Sequence, residues 1–559
     1  MKRIFLSWMI LIVSTPFAFA TVDMRTANLV DTWNDLIAQN SGYDLRIQRV
    51  YNSRTIFSGI FGFGWCSDFE TTLDISPEGN LSVTECGGGA QITYQKKSFQ
   101  QNEVNKTINT ILAEVKKRNP SRNSKYLSGL RTELKENKYL RAEFARQLKL
   151  VGKVESGKEY LANGRENDSI VLKNNIYIRS LPDGTFQRFD KKGHLVAMHD
   201  RNGNHLKIRY EKDLIRSVVD NNGRQLNFQY FPNTKHVKIV TGPDGLKSVY
   251  TYKGDDLHTV TNAWNQKYSY NYDELHNLTK MTFPDGTTKE LTYNKDKDWV
   301  TSFKNRKGCL ETYSYESDPK DPLNHYWSTV KKECNKQITN ISKYEFWNKV
   351  GKKGKYLYRA KTNVNGKITD VVYHPTFGRP ISVLANNRRT NFDYYDNGLV
   401  KLRYDDEVSS LFRYDNPCNK VSMVEITPVD KSKKTKGKRR VANKYLRYTK
   451  FFYDEVKCNL VGAKTSSGLS VSLNYDTRGR IAEIKDQSKK TVRIQYESRF
   501  GKPALIQRPG LGAITVTYKT DGSVDKTVSK EGPQVARQVA SVFNNLLEVI
   551  APATSELNI

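Results

Sequence analysis

The sequence predicts a mainly β protein built from hairpins that stack into a coiled β-sheet, with a small helical insertion. One observation is a tandem repeat of about 21 residues, marked by Tyr210, Tyr230, Tyr252, Tyr272, Tyr293 and Tyr315. A second is a residue that favours turns seven positions before each tyrosine: Gly203, Gly223, Gly245, Asn265, Gly286 and Gly308. A third is the aromatic content of 11%, with 32 tyrosines, which favours strands over helices. Copied units of this length stack on their neighbours.

Each repeat has the pattern of a two-stranded hairpin. Asn-Gly at positions 202 and 203 tolerates positive φ and is a strong hairpin signal. Leu206, Ile208 and Tyr210 then alternate with polar residues, as in a strand with one buried face. A second turn over 211–213 leads to a return strand over 214–219. The tyrosine is therefore interpreted as a core residue rather than a catalyst. The same offset returns at Gly366 with Tyr373, Asn387 with Tyr394, Gly468 with Tyr475 and Lys489 with Tyr496.

The number of repeats predicts that the sheet curls. About a dozen complete or degraded units give about two dozen strands, which would extend over ~100 Å at ~4.8 Å per strand. Open twisted sheets rarely exceed ~10 strands without curling. We therefore expect a curved wall, or a partial or complete shell, with a tyrosine-rich face and a basic outer face.

Residues 1–20 have the pattern of a secretory signal peptide. Lys2 and Arg3 precede an apolar run over 4–13, and Ala18-Phe19-Ala20 fits a cleavage site. An uncleaved anchor is the alternative interpretation. No later stretch is apolar enough to span a bilayer, so we expect an exported chain that is periplasmic, cell-surface or secreted.

Residues 21–97 are predicted to form an N-terminal β region that caps or plugs one end of the array. A strand-like alternation over 45–54 is followed by Phe61-Gly62-Phe63-Gly64-Trp65. Glycines among large aromatic residues allow close backbone approach, and repeat arrays need atypical ends. An aromatic sugar-binding platform is the functional alternative for this motif.

Two motifs resemble a known family. Residues 49–54, Arg-Val-Tyr-Asn-Ser-Arg, and the motif over 61–65 are similar to the N-terminal region of bacterial Rhs proteins. The Gly-x6-Tyr units resemble the YD repeats of Rhs proteins, of insecticidal toxin complexes and of teneurins. The resemblance covers about residues 44–518 and implies a spiralling β-sheet that can close into a hollow shell around a toxic C-terminal segment. The chain departs from toxin-bearing members, because it shows no DPxG-type motif and no separate C-terminal toxin domain. We therefore carry over no cleavage residue.

Two stretches favour helices. Within 98–150, Ile108, Ile111, Leu112 and Val115 have helical spacing, and a second run follows Pro120. This predicts a basic helical hairpin that packs on the sheet or, as an alternative, docks a partner. The repeat array then occupies 151–533. A C-terminal tail over 534–559 includes a predicted helix, 534–550, which either caps the open end of the array or frays.

Six cysteines agree with an oxidising compartment: Cys66, Cys86, Cys309, Cys334, Cys418 and Cys458. Six cysteines allow 15 connectivities, so pairing does not follow from the sequence. We expect neighbours to pair, because adjacent strands of consecutive repeats bring such positions together. No pair has CxxC spacing, so neither a metal nor another cofactor is predicted.

The net charge of +31, or 31 − 2 = +29 without Lys2 and Arg3, attracts polyanions. A basic loop over 430–441 is the densest run of positive charge. It is either a solvated, self-repelling loop or a grip for an anionic partner. The run lacks interleaved aromatic residues, so nucleic acid is not the predicted partner. Its candidate binding residues are Lys431, Lys433, Lys434, Lys436, Lys438, Arg439 and Arg440.

No catalytic constellation emerges from the residues. HExxH, GxSxG and phosphate-cradling glycine motifs do not occur. Asp183, Asp220, Asp244 and Asp285 are interpreted as turn formers. The first hypothesis is an exported, non-enzymatic scaffold or binding shell for anionic glycans, cell-wall or outer-membrane polymers. The second is a toxin-system component that encases or delivers a partner polypeptide, and the third is a polysaccharide-acting enzyme.

Overall fold

A computed structural model describes residues 21–554, apart from gaps at 39–42, 88, 97, 100, 151, 163–164, 166–167, 183, 201–202, 352–353, 430–446, 499–500 and 520–523. The proposed signal peptide and the seven basic residues over 431–440 lie outside the described residues. The mainly β prediction is confirmed. Among the described residues, no helix is long and apolar enough to cross a membrane.

Residues 21–70, here called the N-terminal segment, form two small sheets. The order β1-β2-β3-β6 makes a four-stranded sheet, and β4 pairs with β5. A short 3-10 helix, Asp68–Glu70, ends the segment. The strands are β1 Thr21–Asp23, β2 Asn28–Ala38, β3 Leu45–Asn52, β4 Ser58–Gly59, β5 Gly62–Phe63 and β6 Trp65–Cys66.

All remaining strands belong to one antiparallel sheet of 36 strands, paired in chain order from β7 to β42. Its first part comprises β7 Thr72–Ile75, β8 Leu81–Thr84, β9 Gln91–Lys96, β10 Glu159–Ala162, β11 Ser169–Lys173, β12 Ile176–Ser180, β13 Phe186–Phe189, β14 Leu195–His199, β15 His205–Glu211, β16 Leu214–Asp220, β17 Gln225–Tyr230, β18 Val237–Thr241, β19 Lys247–Lys253, β20 Asp256–Thr261, β21 Lys267–Tyr272, β22 Leu278–Thr282, β23 Thr288–Tyr293 and β24 Val300–Lys304.

The second part comprises β25 Leu310–Ser317, β26 His325–Cys334, β27 Gln337–Gly351, β28 Gly354–Val364, β29 Lys367–Tyr373, β30 Pro380–Ala385, β31 Arg388–Tyr394, β32 Val400–Tyr404, β33 Val408–Arg413, β34 Met423–Pro428, β35 Arg447–Tyr453, β36 Leu460–Thr465, β37 Ser470–Tyr475, β38 Ile481–Asp486, β39 Thr491–Tyr496, β40 Pro503–Arg508, β41 Gly512–Tyr518 and β42 Val524–Val528. Where the sequence showed no clean unit after Tyr315, the strands are longer: β26, β27 and β28 have 10, 15 and 11 residues.

The sheet coils but does not close. The amide of Leu73 in β7 donates to the carbonyl of Gly193, 2.9 Å away, and Thr72 forms a bridge with His194. Farther along, Nζ of Lys420 lies 3.5 Å from the carbonyl of Pro182, so turns 238 residues apart in sequence meet. No pairing joins β42 to β7 within the described ranges. The wall is therefore an open coil, and of the shapes predicted it is the partial shell.

The helical insertion has three helices rather than the predicted two: α1 Gln101–Arg118, α2 Ser124–Glu136 and α3 Lys138–Gln147. Asn137 alone separates α2 from α3, and the three helices share a core of their own around Ile108, Ile111 and Leu134. The predicted tail helix forms α4, Pro533–Thr554. It packs through Leu546 and Val549 against the sheet instead of fraying.

All six cysteines pair with their neighbours along the chain. Cys66–Cys86 joins the N-terminal segment to the first hairpin of the sheet, and Cys309–Cys334 joins the two ends of the β25–β26 hairpin. Cys418–Cys458 links the turn after β33 to the turn after β35. The second and third bonds therefore tie strands that are adjacent or nearly adjacent in the large sheet, whereas the first joins that sheet to the N-terminal segment.

Candidate functional site: the inner face of the sheet

The candidate site is the face of the sheet that covers the N-terminal segment and α4, here called the inner face. In β15, Leu206 and Ile208 point to this face and are buried, and Tyr210 lies beside them half-buried. In β37, Val471 and Leu473 occupy the equivalent positions, beside α4. The alternation predicted from the sequence therefore selects one buried face along the whole array.

The residues seven positions before the repeat tyrosines have the left-handed backbone conformation expected of a turn. Each of the ten residues lies at positive φ, between 58° and 89°: Gly203, Gly223, Gly245, Asn265, Gly286, Gly308, Gly366, Asn387, Gly468 and Lys489. The aspartates act at the same turns. The Asp220 carboxylate accepts from the amides of Asn222 and Arg224, both at 2.9 Å. Asp285 accepts from the Thr287 amide, and Asp244 lies in a turn at φ 56°. Asp183 lies outside the described residues.

The tyrosines lock consecutive hairpins together. Opposite most repeat tyrosines the return strand has one extra residue, a β-bulge; Arg209 and Tyr210, for example, pair with Ser217 and Ile215 and leave out Arg216. Tyr315 is an exception, because it pairs with Ser328 in a regular ladder. The hydroxyl of the next tyrosine, Tyr230, donates to the carbonyl of Ile215, which precedes that bulge. Eight tyrosines donate in this way to the carbonyl 15 residues earlier, at 2.6–3.0 Å: Tyr210, Tyr230, Tyr252, Tyr293, Tyr315, Tyr475, Tyr496 and Tyr518.

The three other repeat tyrosines, Tyr272, Tyr373 and Tyr394, differ. The hydroxyl of Tyr272 accepts from the indole nitrogen of Trp65, 2.8 Å away, and so holds the N-terminal segment. The hydroxyl of Tyr394 donates to the carbonyl of Pro380. Tyr373 is half-buried beside the bulge between β29 and β30. Burial raises the pKa of Tyr230, Tyr252 and Tyr293 above the ordinary value, so these hydroxyls stay protonated donors.

The N-terminal segment lies against the inner face of β15–β26. Its backbone bonds to strands far along the chain: the Val237 amide donates to the Ile60 carbonyl, and the Val300 amide to the Ala27 carbonyl. Phe61 and Trp65 are fully buried, with Phe61 against Tyr250 and Trp65 against Tyr270. The aromatic motif over 61–65 is thus part of the plug. The rings of Phe61 and Trp65 have no exposed face for a sugar, and Phe63 is half-buried against His276.

A buried charge network anchors this segment. Arg49 pairs with Asp35, and its second hydrogen bond to that carboxylate measures 2.9 Å. The hydroxyl of Tyr250 also donates to Asp35, and Arg49 reaches the hydroxyl of Tyr270. Arg49 and Asp35 both belong to the segment, and the hydroxyls of Tyr250 and Tyr270 connect this pair to the sheet, which fixes the segment in one register.

A second buried pair lies beside it. The Lys289 ammonium is 3.5 Å from the carboxylate of Asp31, and burial raises the pKa of Asp31 to about 6 in spite of that charge. Burial also raises the pKa of Glu70 to about 7, although the amides of Ile60 and Ser67 donate to it. These groups were missed from the sequence. The available signal was that Asp31 and Asp35 lie at core-facing positions of a strand with buried apolar neighbours.

The inner face is only half-covered between the two ends. The core around the N-terminal segment ends near Phe303 and Tyr313, and the core around α4 begins near Val383 and Phe392. Between them many inner side chains are half-exposed aromatic and polar residues, such as Tyr326, Tyr344 and Thr362, although Phe346 and Ser342 on the same face are buried. The hydroxyl of Ser328 in β26 donates to the carbonyl of Met24 in the N-terminal segment. The side of β26 that carries Ser328 is therefore the inner side. This uncovered stretch is the part of the wall open to another molecule.

Comparisons with known proteins agree with this architecture. A family model described as Teneurin YD-shell matches residues 183–555. The chain belongs to this family. A second model, a domain of unknown function called DUF6531, matches residues 20–94, which contain the N-terminal segment of this YD shell.

One curated relative and two solved structures are similar to this YD-shell protein. The tRNA3(Ser)-specific nuclease WapA of Bacillus spizizenii is 24% identical over 280 residues, which is 48% of this chain and 11% of the relative. A crystal structure of TcdB2-TccC3-TEV is 10% identical, with a TM-score of 0.37 over 89% of this chain and 29% of that one. The Photorhabdus luminescens Tc holotoxin pore is 10% identical, with a TM-score of 0.28 over 90% of this chain and 32% of that one.

Proposed function

We propose that the protein is a non-enzymatic shell component, of the kind used in toxin systems, whose inner face encloses polypeptide. The observation that carries the proposal is that the repeats already do this to a part of their own chain. Core side chains of the N-terminal segment, such as Leu29, Trp33 and Phe61, are buried against β15–β26, with backbone hydrogen bonds, aromatic contacts and the Arg49–Asp35 network at the interface. The half-exposed stretch from β26 to β30 offers the same kind of surface to a partner.

The chemistry of that stretch suits a polypeptide. Tyr326 packs on Phe346 with ring centroids 5.5 Å apart, and Tyr344 and Thr362 lie in neighbouring strands on the same face. Tyrosine gives a large contact area with a polar tip and loses little conformational entropy, so it adapts to many peptide sequences.

Introduced cysteines test the enclosure, because the six natural cysteines are all in disulfides. Tyr326→Cys places a thiol on the inner face of β26, and Thr329→Cys is a matched control on the other face of the same strand. We expect both thiols to react with a small maleimide, and the inner thiol to react much more slowly with a bulky polyethylene-glycol maleimide. Equal rates with the bulky reagent would contradict an enclosing wall.

A second arm tests the cargo. An unfolded reporter polypeptide fused after Ile559 should be protected from added protease in the intact protein, and digested in a variant that carries Asp35→Asn and Arg49→Met. Digestion at equal rates in both would refute the proposal that the wall holds polypeptide, while the cysteine experiment would still report on the wall itself.

The charge excess favours a second candidate function, binding of anionic glycans or cell-wall polymers by the seven basic residues over 431–440. Its support is the net charge of +31 alone. Binding to an immobilised anionic polysaccharide should fall steeply with salt and should weaken when the seven residues are changed to glutamine. Unchanged retention by that variant would reject the loop as the binding element.

A further inference from the structure

A cleft of about 740 Å³ lies between the first hairpins of the sheet and the helical insertion, on the side away from the inner face. Its size is typical of small-ligand sites. One wall is the outward side of β7, β8 and β9, and the other is formed by Phe99, Val104, Ala142 and Ala145. The cleft is distinct from the inner face and from its charge network.

The strand wall presents hydrogen-bonding side chains in rows. Leu73, Val83 and Ile92 point into the core, so their neighbours point into the cleft. Asp74 is directly opposite Ser82, and Ser82 is directly opposite Thr93, which makes one row across three strands. Gln91 and Gln95, two positions to either side of Thr93, line the cleft on the same face.

The helical wall combines apolar side chains with the three cations Lys135, Arg141 and Arg146. The helices keep their own core and meet the hairpins through an ion pair between Arg141 and Glu78 and a hydrogen bond from Thr107 to the Pro77 carbonyl. Small residues, Ala142 and Ala145, face the strands, so a gap remains instead of interdigitated packing. The cleft therefore has a polar strand wall and a helical wall whose uncharged part is apolar.

The strand pairing and the charges of the cleft argue against a peptide strand and against a phosphate as the ligand. β8 is paired on both sides, with β7 and with β9, and β9 is also paired with β10. A peptide could therefore not add a strand here, since that mode needs a free edge. Arg141 pairs with Glu78, and Arg146 is 2.6 Å from Glu143, so among the described residues Lys135 is the one lining cation without such a pairing, and the lining also contains the Asp74 carboxylate. A phosphate would find no cluster of free cations.

We infer that this cleft is a binding site for a short, uncharged oligosaccharide. The Asp74–Ser82–Thr93 row would accept from and donate to ring hydroxyls, while the hydrocarbon face of the sugar ring would pack on Ala142, Ala145 and Phe99. Asp74 has no hydrogen-bond or ion-pair partner of its own in the described part of the chain, so its carboxylate is available to a ligand. The site does not depend on whether the inner face encloses polypeptide.

The test is an array of neutral and amino-sugar oligosaccharides probed with the full chain, with the affinity of each hit measured by calorimetry. Asp74→Asn and Thr93→Val keep the side-chain shape and should each weaken binding about tenfold, or about 1.4 kcal/mol. Thr292→Val, an outward threonine bonded to Ser302 far from the cleft, is the control and should leave the affinity unchanged. Thermal melting confirms that each variant is folded.

Three results would overturn the inference. They are binding of no glycan on the array, unchanged affinity in both cleft variants, or competition by a peptide or by inorganic phosphate at lower concentrations than any sugar. Loss of binding in both cleft variants with the control intact would support it.

Discussion

At the scale of single residues, the tyrosine of each repeat is a link between hairpins as much as a core side chain. A bulge interrupts the strand ladder, and in most units the tyrosine of the following unit donates to the carbonyl just before it, as Tyr252 does to Val237. A buried carbonyl without a donor costs free energy, so the bulge and the next tyrosine depend on each other. The regular spacing of 20 to 22 residues follows from this geometry, because a shift of either element would separate hydroxyl and carbonyl.

Removing one such hydroxyl tests the link. In the wild type, the Tyr293 hydroxyl lies 2.9 Å from the Leu278 carbonyl oxygen. Tyr293→Phe keeps the ring but removes this donor. We expect a loss of about 1 kcal/mol in the free energy of unfolding, measured by denaturant titration. Tyr126→Phe, on the exposed side of α2, is the control and should change it by a few tenths at most. Equal losses in both variants would show that the hydroxyl bond is not the cause.

At the scale of elements, the outer face of β26–β29 carries a ladder of alternating charges and rings. Nδ1 of His325 is 3.0 Å from Asp318, and Nε2 is 2.8 Å from Glu345. The imidazole stacks on Trp347, with centroids 4.8 Å apart, and Arg359 lies over the same indole while it binds Asp370. The ladder therefore ties the long hairpins together across four strands.

The His325 ladder predicts a pH dependence. Burial acts to lower the pKa of His325, but the hydrogen bonds to Glu345 and Asp318 outweigh it and raise the pKa above 6.5. A raised pKa means that protonation stabilises the fold, fully below pH 6.5 and less as the pH rises through the folded pKa. In melting curves, the gap between the wild type and His325→Gln should be largest at acidic pH and should shrink as the medium becomes alkaline.

Ser314, directly opposite Thr329 in β25, provides a control that removes no titratable group. Ser314→Ala should show a gap to the wild type that does not vary with pH in this way. A gap for His325→Gln that widens towards alkaline pH would contradict the assignment of His325 as a charged bridge.

The docking of the N-terminal segment predicts a second effect at this scale. Arg49→Met alone leaves the Asp35 carboxylate buried without its cation, which should cost about 3–5 kcal/mol. Adding Asp35→Asn removes the uncompensated charge, so the double variant should recover a substantial part of that loss. The free energies of the two single variants and the double variant form the measurement. Additive losses would indicate that the two side chains are not coupled.

At the scale of the whole molecule, the coil depends on contacts between strands that are far apart in the chain. The free edge of β7 is occupied by the turn before β14, where the Gly193 carbonyl accepts from Leu73. Strand β42, at the other end, is exposed at every residue and is paired with β41 alone among the described residues. The two ends of the sheet therefore differ: one is folded back on the wall, and the other is open.

Gly193 is the position where this closure is most sensitive. It lies at φ 83°, and a Cβ there would be 1.8 Å from the Leu73 carbonyl oxygen. Gly193→Ala should therefore detach β7 and destabilise the protein by more than the 1–2 kcal/mol expected of strain alone. Gly223→Ala, at φ 79° with nothing within 4 Å, isolates the strain. The hydrogen-exchange rate of the Leu73 amide should rise in Gly193→Ala only. A protected Leu73 amide in both variants would contradict the role of Gly193 in holding β7.

The sequence determined the features that lie within one repeat. Alternation over five or six residues and a turn seven residues before each tyrosine were enough to give the hairpins, their buried face and the coiled, mainly β architecture. Local patterns suffice there, because strand period and turn conformation depend on neighbours only a few residues away. The family resemblance came from the same short motifs.

The tertiary structure decided whatever joins positions more than one repeat apart. Asp35 meets Tyr250 and Leu73 meets Gly193 only because the sheet coils with a certain pitch, and that pitch is the sum of small twists over many strands. The pitch of the coil also places residues 61–65 inside the wall and forms the cleft beside β8. It likewise brings Asp318 and Glu345 to either side of His325. No local pattern encodes such a sum, so these sites appear only when the whole coil is in place.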